Sequence, residues 1–302
     1  MNTNQEKYSW SKLAEEGKKL REHLGENPND IAVWLESLKK VSTIPIPKTK
    51  LLTLTDEYLG WLTSDYYTEE RIMLFNDYLI ENLKDDFDID NLDVFIKTGT
   101  YSNKFDFENP HVTNKKDIGK KFLEIFYSSM MVGAGTTPTV AVREYIKPKE
   151  DVPTIYHGMP LRREIRFFVD FDKEKILGYS EYWDKSQMKE LARRAVPSIN
   201  VEDITTKLIK NIQDLVDSKI IASPSGEETL KDFLTWAKWS KKLPDIECYV
   251  QSVLPKIKKL VFSKPLRGRW SVDIMFNDID EPWLIDMALM HQSALVDVMQ
   301  EL

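Results

Sequence analysis

A single cysteine, Cys248, in a chain of 302 residues excludes an internal disulfide and any cysteine-rich zinc centre. It also points to a reducing, cytoplasmic compartment. Histidine is nearly as scarce: His23, His111, His157 and His291 are scattered without the spacing of metal ligands. No apolar run approaches the ~20 residues that a membrane helix needs. The longest candidate, from Phe122 to Gly135, is interrupted by Glu124, Ser128, Ser129 and Gly133. The first ten residues, MNTNQEKYSW, lack the basic-then-apolar order of a signal peptide. Positive charge is short as well. Lys and Arg total 42 against 49 Asp and Glu, a net charge of −7. That balance disfavours a nucleic-acid coating protein, although an average says nothing about a local basic cleft.

What is present is globular in kind: 42% hydrophobic and 30% charged residues, with no repeat and no low-complexity tract. The length suggests roughly two domains. Ser9 or Ser11 precedes a helix that Gly25 would end, and Asn29 or Asp30 precedes another through Trp34, Leu35 and Leu38. Pro45 and Pro47 mark an extended connection. Thr68, followed by Glu69 and Glu70, starts a third helix that carries Ile72, Phe75, Leu79 and Leu83 at helical spacing. The texture changes near residue 92. Short strands at 94–97 and 140–146 flank a helix near 115–129. Long strands at 163–171 and 175–183 are in hairpin order, three helical stretches fill roughly 185–262, and strands 269–276 and 283–288 close the chain. The expected class is α+β with mainly antiparallel pairing, behind a helical N-terminal region.

Three stretches carry chemistry. In the last hairpin, Trp270, Val272 and Ile274 alternate with Arg269, Ser271 and Asp273, and Asp286 is expected to share a face with Leu284 and Ala288. A turn centred between Ile279 and Asp280 would set Asp273 directly opposite Asp286. Opposed carboxylates destabilise a sheet. Either a divalent cation bridges them or each acid finds its own Arg or Lys; magnesium, with carboxylate, water and phosphate oxygens, suits the first case. In the strand from Arg162 to Val169, Ile165, Phe167 and Val169 take one face, and Glu164, Arg166 and Phe168 take the other. Arg166 is then either one half of a cross-strand ion pair or a bidentate phosphate ligand. Finally, Lys97 ends a strand before a small-residue loop that holds Ser102, Asn103 and Lys104. Such a loop can approach phosphates, but the lysine precedes it instead of closing it as in a P-loop.

The order of these pieces resembles the ATP-grasp superfamily over residues 92–302, and within it the cell-division-cycle family that assembles translation initiation factor two. The likeness lies in Lys97 with Ser102-Asn103, in Val142-Arg143-Glu144, in Glu164-Ile165-Arg166-Phe167-Phe168-Val169 with Gly178-Tyr179-Ser180, and in Val272-Asp273 with Trp283-Leu284-Ile285-Asp286. The resemblance implies two α+β subdomains, 91–150 and 151–302, clamping ATP behind a helical region, 1–90. It implies that Lys97 and Arg166 act on the phosphates as catalytic residues, with Lys104, Ser102 and Asn103 covering them. By the same likeness Glu144, Tyr145 and Ile146 present backbone groups to adenine, Arg267 or Arg269 adds positive charge, and Asp273 and Asp286 hold Mg2+. One departure stands out: Ala288 occupies the position where the superfamily usually has a metal-binding Asn, and His291 or Gln292 would have to replace it.

Two functions follow from the resemblance. One is an ATP-dependent ligase that activates a carboxylate, or a nucleic-acid end, for attack by a nucleophile, with the second substrate undefined. The other is a nucleotide-binding assembly chaperone for a protein partner, without ligase turnover, which the alanine favours. A scaffold that has lost nucleotide binding is the third alternative; the joint presence of Lys97, Arg166, Asp273 and Asp286 argues against it. No membrane partner is expected, and a nucleic-acid partner is not favoured by the net charge. Lys189, Arg193 and Arg194 form a basic patch on one helix side, either a solvated face or a surface for an acidic partner.

Overall fold

Helices begin where short polar side chains precede apolar periodicity. Asp30, Thr55, Thr68 and Asp245 each accept a hydrogen bond from a backbone N–H two or three residues ahead. The computed structural model of the chain describes residues 8–64, 66–195, 206–218 and 224–302. These fall into two units, one formed by the residues up to Lys40 with Ile46–Ile146, the other by Val41–Pro45 with Lys147–Leu302.

The first unit contains helices α1 (Trp10–Leu24) and α2 (Ile31–Lys39), strand β1 (Thr49–Thr53), helices α3 (Asp56–Leu62) and α4 (Glu69–Leu83), strands β2 (Val94–Thr98) and β3 (His111–Val112), helix α5 (Ile118–Met131) and strand β4 (Thr139–Glu144). The strands form one antiparallel sheet in the order β1-β4-β2-β3. Val94, Ile96, Val140, Val142 and Leu52 bury one face of this sheet against Trp61, Phe75, Leu79, Phe122 and Phe126 of α3, α4 and α5. Helices α1 and α3 meet at Gly17 and Gly60, where an added Cβ would come within 1.9 Å of the Asp56 and Leu13 carbonyl oxygens respectively. The sequence reading misses β1 and α3. Strand β1 is five residues long and, among the described residues, pairs with β4 alone, so its identity comes from tertiary pairing that local pattern does not carry.

The second unit opens with the two-residue strands β5 (Thr154–Ile155) and β6 (Met159–Pro160). Strands β7 (Glu164–Asp170) and β8 (Lys175–Glu181) follow, then helices α6 (Lys185–Ala195), α7 (Thr206–Asp217), α8 (Pro224–Ser240) and α9 (Ile246–Phe262). Among the described residues these are four helices where three stretches were expected. Strands β9 (Arg269–Phe276), β10 (Pro282–Leu289) and β11 (Gln300–Glu301) complete an antiparallel sheet in the order β10-β9-β7-β8-β11. Ile165, Phe167, Val169, Val272 and Ile274 are fully buried on one face. Helix α9 packs on that side, where Tyr179, paired with Phe167, donates its hydroxyl to Glu247 at 3.0 Å. The other face holds Glu164, Arg166, Ser271, Asp273 and Ser180. The fold is thus α+β with antiparallel sheets, the class expected from the sequence.

Candidate functional site

Asp286 stands opposite Asp273, but not by the route the sequence suggests. Near the turn, Pro282, Trp283 and Leu284 pair with Phe276, Met275 and Ile274, a register that would bring Ile285 to Asp273. A β-bulge at Ile285 adds one residue to β10, and from there Asp286 pairs with Asp273, Met287 with Val272 and Ala288 with Ser271. The bulge also corrects an expectation. Leu284 lies on the side of Ile274, fully buried, whereas Asp286 and Ala288 share the side of Asp273.

Asp273 has a second cross-strand partner on β7. Arg166 Nε donates to Oδ1 and Nη2 to Oδ2, each at 2.7 Å. The remaining nitrogen, Nη1, donates to the Ala294 carbonyl at 3.0 Å, and the guanidinium lies 5.1 Å from the Tyr182 ring centroid. The side chains of Arg166 and Asp273 are 11% and 5% exposed, so this is a buried, bidentate pair. Burial pulls the Arg166 pKa down, and the charge and hydrogen bonds of Asp273 outweigh it, so the guanidinium stays protonated. Of the two alternatives left open for Arg166 and Asp273, the structure therefore contains the ion pair.

The segment after β10 lies over the same side of the sheet. Ser180 Oγ donates to the Leu295 carbonyl at 3.0 Å, and the Ser271 and Ser293 hydroxyls are 2.6 Å apart. Leu295 is buried with φ of 71°, a backbone region that costs a branched residue strain. His291 and Gln292 are exposed in a 3-10 turn. Arg269, at the start of β9, pairs with buried Asp170 at 3.0 Å, four residues from Asp273, or ~13 Å along the strand. Arg267 is exposed, 3.6 Å from Asp172.

In the first unit, the face of the sheet turned away from its aromatic core carries Lys97 opposite Ala141, and Phe95 opposite Arg143. Lys97 is 2% exposed and Arg143 is 4% exposed. These buried cations are diagonal neighbours across β2 and β4, a separation of ~7–8 Å between backbones. Arg143 Nε donates to Thr49 Oγ1 at 3.1 Å. Beside them His111 stacks on Tyr145 with ring centroids 3.8 Å apart, near Phe107, and His111 Nε2 is 2.8 Å from Asp93. The Glu144 N–H is engaged by the Lys48 carbonyl at 2.8 Å. Ile146 is buried.

The loop after Lys97 is more constrained than its composition suggests. Gly99 N–H donates to the Thr139 carbonyl and to Thr137 Oγ1, and Tyr101 N–H donates to Thr98 Oγ1. A Cβ on Gly99 would fall within 2.3 Å of the Asp30 carboxylate, which caps α2 and accepts from Thr139 Oγ1. Asn103 takes φ of 49°, which asparagine tolerates, and its Oδ1 accepts from the Tyr101 and Ser128 hydroxyls. Ser102 and Lys104 are half-buried. Arg143 carries no site role in the sequence reading; a cation among Val140, Ala141 and Val142 was the available signal. The patch on α6 is locally balanced, with Arg194 3.3 Å and Arg193 3.9 Å from Glu190.

Among the described residues no group of three or more His, Cys, Asp or Glu side chains converges on one point. Two opposed carboxylates do fit one Mg2+ that keeps waters and phosphate oxygens as its other ligands. Ala288, opposite Ser271, supplies no donor for a second ion. No helix among the described residues is long and apolar enough to cross a membrane.

No protein-family model and no curated protein matches the chain. Among solved structures it is similar to Cdc123 from Schizosaccharomyces pombe, at 12% identity over 91% of each chain, with a TM-score of 0.47. It is also similar to an ATP-grasp RimK domain protein from Sphaerobacter thermophilus, at 10% identity over 89% of this chain and 61% of that one (TM-score 0.38). A D-alanine–D-alanine ligase from Bacillus anthracis, solved in complex with ATP, is 12% identical over 89% of this chain and 58% of its own, with a TM-score of 0.36. Each of these TM-scores lies below 0.5.

Proposed function

We propose that this chain binds Mg-ATP in the manner of ATP-grasp proteins and acts as an ATP-dependent ligase, activating a carboxylate for attack by a nucleophile. Asp273 and Asp286 hold the metal, and Arg166 serves the transferred phosphoryl group. Lys97, with Lys104, Ser102 and Asn103, serves the other phosphates, and Tyr145 and Ile146 meet the base beside the His111–Tyr145 stack. Glu144 contributes from the end of its strand, and Arg269 adds charge on the metal side. The observation that carries this is the bulge at Ile285, which sets two carboxylates opposite each other beside an arginine. Mg2+ supplies charge neutralisation when bound; the chain's own part is to orient the phosphates and stabilise developing charge.

A second reading is a nucleotide-binding assembly factor with a protein partner and no turnover. Ala288 favours it, because a single carboxylate pair leaves no protein donor for a second ion. The separating experiment mixes the protein with ATP and fractionated extract. ADP and phosphate, or AMP and pyrophosphate, whose release depends on a small-molecule fraction mark the ligase. A stoichiometric protein complex without release marks the assembly factor.

A further inference from the structure

Asp30 lies between α1 and α2, in the helical region that the sequence reading sets apart from the nucleotide-binding part, yet it reaches the loop that follows Lys97. Its two carboxylate oxygens have different partners. Oδ1 accepts from the Ala32 N–H at 2.9 Å and caps α2, while Oδ2 accepts from the Thr139 hydroxyl at 2.8 Å. The next residue, Ile31, donates its N–H to the Gly99 carbonyl at 2.9 Å. The Gly99 N–H turns the other way, to the Thr139 carbonyl and Thr137 Oγ1, each at 3.1 Å. Asp30, Thr137 and Thr139 are all buried. The carboxylate also fills the space beside the Gly99 Cα, where an added Cβ would fall within 2.3 Å of it.

Capping α2 needs one acceptor, which a serine supplies equally well. A buried carboxylate is costly unless its oxygens are hydrogen-bonded. The burial of Asp30 against Gly99, with its second bond to Thr139, therefore calls for a role beyond the cap. The rest of the loop is held from elsewhere: Thr100 Oγ1 donates to the Gly135 carbonyl at 3.0 Å, and Asn103 Oδ1 accepts from the Tyr101 and Ser128 hydroxyls. We propose that Asp30 is a positioning residue for nucleotide binding, mounting the Gly99 end of the loop so that it meets phosphates already ordered. This rests on the Mg-ATP reading above. A loop fixed before binding avoids the entropy cost of ordering it on the ligand, and that saving shows as affinity for the phosphates alone.

The test measures binding of labelled ATP with Mg2+, and of labelled adenosine, to the full chain by equilibrium dialysis. Asp30→Ser keeps the cap but is too short to span to Thr139. Thr139→Val removes the hydroxyl at nearly constant volume, and serves where Asp30→Ser does not fold. Each should weaken ATP on the order of 10-fold, the size of one charge-assisted hydrogen bond, and leave adenosine unchanged. Asp30→Asn can keep both contacts, accepting from Ala32 and donating to Thr139, and should bind ATP at least as tightly as the parent. ATP affinity unchanged in Asp30→Ser and Thr139→Val overturns the proposal. So does an equal loss for adenosine, which marks a general structural defect, or a loss in Asp30→Asn as large as in Asp30→Ser. If the parent itself binds neither ligand, the Mg-ATP reading falls and takes the proposal with it; if the parent binds ATP and the variants match it, only the role of Asp30 falls.

Discussion

The two sheets make an instructive pair. Each is antiparallel and buries one face under helices, the first against the aromatic cluster of Trp61, Phe75 and Phe122, the second under α9. Their other faces differ in kind. The first carries two buried cations, Lys97 and Arg143, as diagonal neighbours. The second carries cross-strand pairs, Arg166 with Asp273 and Arg269 with Asp170. Lys97 and Arg143 bring positive charge from adjacent strands to the first face, whereas the second face matches charge across its strands.

The largest effects should fall on what the sheets share. Phe122→Ala and Phe167→Ala remove fully buried rings, one from each unit, and each should cost about 3–5 kcal/mol in denaturant unfolding. A negligible loss in either would break the symmetry. Arg166→Ala should cost about 3–5 kcal/mol of stability, because it leaves a buried carboxylate unpaired. Lys97→Ala should instead register in function, lowering phosphate-dependent turnover on the order of 10²–10³-fold. If Lys97→Ala left turnover intact, the contrast between the two faces would lose its meaning.

A pH titration separates the faces further. Burial pushes the Asp170 pKa up, but the Lys173 N–H and Arg269 outweigh it and hold it below its ordinary value of 3.8. The stability it contributes is present above that value and is lost as pH falls through the depressed one. Asp170→Asn should therefore flatten the acid limb of stability against pH; an unchanged limb would remove Asp170 from the account. The smallest effect belongs to the exposed pair Lys149–Asp280, 2.6 Å apart, where Lys149→Ala should change stability by about 0.2–1 kcal/mol.

Alternation alone places Asp273 and Arg166 on one face of their sheet, and the order of motifs brings Lys97 into view, so much of the site's composition is legible before any coordinates. The Ile285 bulge is not. A bulge has no residue signature in Trp283-Leu284-Ile285-Asp286, and the expected partner of Asp273 comes out right only because the turn is offset by one residue in the compensating direction. Leu284 exposes the difference by lying on the face opposite to the expected one. Nor does the sequence decide between ion pair and phosphate ligand for Arg166, because a guanidinium serves both equally well. Strand β1 stays invisible for a similar reason, since its partner β4 lies some ninety residues away. The loop at Gly99–Asn103 looks free in composition and proves to be tied through Asp30, Thr137 and Ser128, contacts that are remote in sequence.

The central claim is that the chain binds Mg-ATP, and thermal unfolding with and without ligand tests it most directly. At a concentration one hundred times Kd, Mg-ATP should add about 2.7 kcal/mol, which raises Tm by a few degrees for a chain of this length. Lys97→Ala and Asp273→Asn should each abolish the shift. An unmoved Tm at millimolar Mg-ATP in the parent protein would contradict the claim.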